Sequence, residues 1–105
     1  MYAQPKYGSI MLQSASFESF ASELRGQGFE TVIERTWAPA TALDLHVHEF
    51  AAKALVVRGE MWLTVDGVAQ HLTAGQTFEL AAGVPHSERY GPEGATYWVG
   101  RCGAQ

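Results

Sequence analysis

A chain of 105 residues with 47% apolar and only 17% charged residues has material for one hydrophobic core and no second domain. Its net charge is −4, and its seven Lys and Arg fall singly at positions 6, 25, 35, 53, 58, 89 and 101, which argues against nucleic acid as a partner. No apolar run approaches membrane-spanning length and no export signal is read at the N-terminus, so a cytoplasmic protein with no membrane partner is expected. The single cysteine, Cys102, excludes an internal disulfide framework, and with no histidine near it in sequence it reads as an incidental thiol.

Residues 1–13 carry Pro5 and Gly8 beside the short apolar run Ile10-Met11-Leu12, which suits an arm or an edge strand. Residues 14–25 hold the one helical period of the chain, Phe17, Phe20, Ala21 and Leu24, with Ser14 or Ser16 as N-cap and Gly26 and Gly28 at the end. After that every segment reads as a strand. Residues 29–37 alternate, and Pro39 closes them.

Residues 43–48 alternate with period two, placing Leu43, Leu45 and Val47 on one face and Asp44, His46 and His48 on the other. Two imidazoles then lie about 7 Å apart along one strand. The same alternation also describes a half-buried strand with its polar face in water. The run Ala54-Leu55-Val56-Val57 predicts a strand buried on both faces, with Lys53 opposite the inward set Ala52, Ala54 and Val56. Gly59 separates it from residues 61–65, and Asp66-Gly67 marks a tight hairpin to residues 68–72. Residues 77–80, 86–90 and 95–101 complete the set, divided by Ala82-Gly83-Val84-Pro85 and by Gly91-Pro92-Glu93-Gly94. Seven or eight strands spaced about 8 to 12 residues apart after one helix predict an all-β sandwich or small barrel.

His46, His48 and Gly59, followed by Gly75, Gly83 and His86, stand in the register of two motifs, with 15 residues between Gly59 and Gly75. In this the chain resembles the cupin family, and the spacing is that of its small members. Ala40, Ala52, Ala81 and Tyr90 stand where the motifs have Gly, Glu, Pro and Asn. The resemblance spans roughly residues 40–90 and implies a double-stranded β-helix, the jelly-roll barrel, as a single domain over residues 1–105. Residues 1–28 would form the arm and helix, and residues 29–101 the barrel. It further implies that His46, His48 and His86 converge on one divalent transition metal, iron, zinc, nickel, manganese or copper. Three protein ligands leave positions open for water or a small-molecule substrate.

Ala52 removes the carboxylate ligand of the first motif, although some members of the family bind metal through three histidines alone. Glu88, at i+2 from His86, is the candidate fourth ligand or supporting carboxylate, with a surface position beside Arg89 as the alternative. Glu49 and Glu79 have outward parity. Tyr90 and Ala52 are candidate pocket residues, Tyr90 near the mouth. His71 is expected on the outer surface or an interface, and Trp37, Trp62 and Trp98 in the core or an interface. An outer apolar face of Leu43, Leu45, Val47, Leu55 and Val57 would need covering, which suggests a homodimer.

Three functions fit these residues. One is a metal-dependent enzyme acting on a small organic molecule, by oxygenation or by a non-redox isomerase- or lyase-like step in which the metal is a Lewis acid. Another is a non-catalytic module that binds or senses a small ligand, with or without metal. The third treats the histidines as polar remnants in a stable scaffold.

Overall fold

The structure is a computed structural model that describes residues 16–103. The expected arm over residues 1–13 and the alternative cap Ser14 lie outside the described residues. Helix α1, Phe17–Gly26, starts at Ser16 in a capping box: the Ser16 side chain accepts from the Ser19 backbone N–H, and the Ser19 hydroxyl accepts from that of Ser16. Its end is a Schellman motif. The Phe29 and Gly28 N–H groups donate to the Leu24 and Arg25 carbonyls, and Gly28 takes the left-handed conformation at φ 100°. Phe20, Ala21 and Leu24 form the buried face, as their spacing predicts.

Six antiparallel strands follow: β1 Thr31–Trp37, β2 Ala42–His46, β3 Phe50–Val65, β4 Val68–Thr73, β5 Thr77–Leu80 and β6 His86–Gly103. The seven or eight expected become six among the described residues because residues 50–65 and 86–103 are each one continuous strand. Gly59 and Gly94 do not end these strands; they bend them. At Gly59 (φ 78°) a Cβ would meet the Gly94 carbonyl oxygen at 2.2 Å, and at Gly94 (φ 74°) one would meet the Trp37 carbonyl oxygen at 2.2 Å. Three backbones therefore cross at a corner that only glycine permits.

The bend divides the pairing into two layers. In the first, β1 pairs with residues 95–101 of β6, residues 95–103 of β6 with residues 50–59 of β3, and β3 in turn with β5. In the second, β2 pairs with residues 86–89 of β6, residues 86–90 of β6 with residues 61–65 of β3, and β3 with β4 across the Asp66-Gly67 turn, where both φ values are positive as a type I′ hairpin requires. Each long strand changes inward parity at its bend. Ala52, Ala54 and Val56 give way to Met61 and Leu63 on β3, and Glu88 and Tyr90 to Ala95, Tyr97 and Val99 on β6. The two layers bury these side chains between them as one core, and so form a jelly-roll barrel.

The outward residues of the first layer are covered by α1. Leu55 and Val32 are buried against Phe20, Ala21 and Leu24, with Val57, Phe29 and Trp98 alongside. This corrects the expected single outer face. Leu55 and Val57 lie under the helix of the same chain, whereas a register shift between Leu43 and His46 turns Leu43 toward the interior. Leu45 and Val47 alone of that set stay exposed. Among the described residues no helix is long and apolar enough to cross a membrane.

Candidate functional site

His46 ends β2, His86 begins β6, and the two are cross-strand partners; His48 follows two residues after His46, in the connection to β3. The same register shift that turns Leu43 inward removes Asp44 from the histidine face, leaving it exposed. The Gly83 N–H donates to the His48 carbonyl at 2.8 Å and so ties the loop before His86 to the loop carrying His48. The ring centroids lie 4.3 Å (His46–His86), 4.8 Å (His48–His86) and 5.1 Å (His46–His48) apart. One nitrogen from each ring lies within 4.8 Å of the other two.

Two of the three tautomers are fixed by the backbone. His46 Nδ1 is 2.6 Å from the Asp44 carbonyl oxygen, and His86 Nδ1 is 2.9 Å from that of Val84. A carbonyl only accepts, so each Nδ1 carries the proton and each neutral ring leaves Nε2 as a bare lone pair. His86 is 1% exposed, and its Nε2 has no hydrogen-bond partner among the described residues. Burial, and then the cost of adding a positive charge beside two other imidazoles, His86 and His46, lower the His48 pKa, which favours the neutral, ligating imidazole.

Glu88 occupies the interior beside them. Its Oε2 is 3.3 Å from His86 Nε2 and 3.5 Å from His46 Nε2, while its Oε1 accepts a hydrogen bond from the Tyr90 hydroxyl. Two lone pairs thus face a carboxylate oxygen, an arrangement that is repulsive until a cation or protons enter it. Three imidazole nitrogens with a carboxylate suit a first-row divalent ion, so the donor set fits the group that the histidine pattern implies.

Tyr90 lies behind Glu88 and not at a mouth: it is buried, stacks on Trp37 at 5.3 Å, and does not line the cavity. Burial, then Tyr97 and Glu88, raise its pKa above the usual tyrosine value. Tyr97 lines the cavity in its place, accepting from the Trp37 indole N–H at 3.2 Å.

The cavity, about 140 Å³, is lined by His46, His48, Glu88 and Ala52, and also by Arg35 and Arg101, which the sequence reading did not single out. Their signal was parity: Arg101 continues the inward series Tyr97 and Val99, and Arg35 pairs with Tyr97. Trp98 packs under α1, with its ring 5.8 Å from that of Phe17. Trp62 lies on the outer side of the second layer, stacked on His71, whose Nε2 is 2.7 Å from Glu60 Oε1. A wider groove of about 430 Å³ beside Trp62 contains none of the clustered histidines. Lys53 points away from the cavity to Gln27 at 3.0 Å and Glu79 at 3.9 Å.

A family model described as a cupin domain matches residues 34–97, more than half of the chain. Over 57 residues the chain is 35% identical to the HTH-type transcriptional regulator PuuR of Escherichia coli (strain K12), a stretch covering 53% of this chain and 31% of the regulator. It thus spans about a third of the length of that relative. Among solved structures it is similar to an RmlC-like cupin from Shewanella frigidimarina NCIMB 400, with a TM-score of 0.64, 27% identity and coverage of 71% of this chain and 67% of that one. Oxalate decarboxylase from Bacillus subtilis shares the fold, with a TM-score of 0.62 at 22% identity over 69% of this chain and 20% of that one. By its matched segment and its architecture, the chain belongs to the cupin family.

Proposed function

We propose that His46, His48 and His86 hold one divalent transition metal ion, with Glu88 as a fourth ligand or as the carboxylate that orients the site, and that the chain is a metal-dependent enzyme acting on a small organic molecule. The observation that carries this reading is the pair of bare Nε2 atoms, one of them buried without a partner, aimed with Glu88 Oε2 at a common space. When bound, the ion supplies Lewis acidity, or a dioxygen site if it is iron. The chain's own part is to fix the imidazoles through the Asp44 and Val84 carbonyls and to shield the site with Phe50, Phe78 and Leu80.

Metal content tests the reading directly. Protein purified without an affinity tag is expected to carry close to one equivalent of a transition metal and to melt higher when that metal is added. His86→Ala should abolish both effects, and Glu88→Gln should weaken affinity by about 10- to 100-fold. The proposal fails if wild-type protein holds less than about 0.1 equivalent and shows no thermal shift with iron, zinc, nickel or manganese.

A second reading, a ligand-sensing domain without turnover, draws on the segment shared with the PuuR regulator. Ligand binding to metal-loaded protein without product, across oxygen-consumption and isomerisation assays, would favour it.

A further inference from the structure

The inward face of the first layer carries two guanidinium groups into the cavity that the histidines line. Among the described residues neither Arg35 nor Arg101 has a carboxylate within ion-pair distance, and the Nε of Arg101 is buried with no hydrogen-bond partner. Each is held against an aromatic wall, Arg35 with its guanidinium carbon 4.5 Å from the centre of the Trp37 ring and Arg101 with its own 4.9 Å from that of Phe50. A guanidinium over an aromatic face is held by cation–π attraction, which leaves its N–H groups to bond elsewhere. Among the described residues Glu88 is the one acidic side chain lining the cavity, and against two arginines it leaves the described lining with a positive surplus before any metal is added.

The register explains where that surplus comes from. Arg101 stands directly across from Ala52 in the β3–β6 pairing. A carboxylate at position 52, where the motif of small cupins has Glu, would face Arg101 as an opposite-charge cross-strand pair. The absent motif carboxylate and the unpartnered arginine are therefore one gap.

We propose that the gap is filled by the ligand: the cavity takes a small carboxylate-bearing molecule whose carboxylate lies over Ala52 and is held by the N–H edge of Arg101, with Arg35 adding charge from β1. The proposal rests on the metal-site reading for what happens at the other end of the ligand, but the arginine contact itself does not need the metal. The volume, about 140 Å³, accommodates a portion roughly the size of benzene inside the cavity. A planar fork favours a carboxylate in bidentate contact.

Isothermal titration of the full chain, zinc-loaded and metal-free, with malonate, the neutral malonamide and inorganic phosphate tests this. Malonate is expected to bind, with malonamide and phosphate each at least about tenfold weaker. Arg101→Gln should weaken malonate by about tenfold or more while zinc stoichiometry is unchanged, and Arg101→Lys should fall between, because it keeps the charge and loses the fork. Ala52→Glu, an independent variant should Arg101→Gln not fold, should abolish malonate binding and tighten zinc.

Absence of malonate binding overturns the proposal, as does phosphate or malonamide binding as tightly, or malonate affinity unchanged in the Arg101 variants or in Ala52→Glu. If the chain takes up none of zinc, iron, nickel or manganese, the metal reading fails separately. Malonate binding to the metal-free chain that is lost in Arg101→Gln then still upholds this proposal, and its absence overturns it.

Discussion

The chemistry at residue scale comes from atoms that lack partners. Backbone carbonyls of Asp44 and Val84 take the Nδ1 protons of His46 and His86, so the free lone pairs are committed to the cavity before any ligand arrives. The phenols behind them are held neutral. Burial first, and the Glu88 charge next, raise the Tyr97 pKa above 10, so the folded chain keeps a proton there that the unfolded chain releases. Stability from this group is therefore complete below pH 10 and is lost as pH rises past it. A tyrosinate absorbance titration of wild type minus Tyr97→Phe should stay flat through pH 10; a difference midpoint at pH 10 contradicts this. The histidine triad was legible in sequence because His46, His48 and His86 stand with Gly59, Gly75 and Gly83 in the spacing of the two cupin motifs. The arginines had only strand parity to mark them, and Arg101 becomes a site residue only when a strand some fifty residues earlier places an alanine opposite it.

Among the elements, the corner at Gly59 carries the most consequence. Gly59→Ala would place a methyl group 2.2 Å from the Gly94 carbonyl oxygen in a left-handed backbone, at a cost of about 3 kcal/mol or more. Gly67→Ala, also left-handed at φ 76° but with nothing within 4 Å, should cost about 1 kcal/mol. Urea unfolding of both variants separates backbone strain from collision, and equal losses would contradict the corner. The helix and its buried stripe, the hairpin at Asp66-Gly67 and the two-faced burial of Ala54, Leu55 and Val56 were all legible, because each depends on local periodicity or turn chemistry. Strand count and the outer face of β2 were not. A bend through Gly59 and a register shift after Leu43 reverse which side of a strand faces in, and period-two counting cannot cross either.

For the whole molecule, the decisive feature is that β3 and β6 form the central pair of both layers. Neither layer owns its middle. One cannot open while the other stays intact, so the barrel should behave as a single cooperative unit with no internal hinge. Native-state hydrogen exchange checks this: the slowest amides of residues 54–56 and of residues 61–63 should open with the same free energy and the same denaturant dependence, equal to those of global unfolding. A markedly lower value in either half would mean that the layers part independently. If they do not, a ligand cannot reach the cavity by breathing of the barrel walls. Traffic then falls to the cavity's own opening to solvent, beside the half-exposed His46 and His48, through which the protein fills and empties.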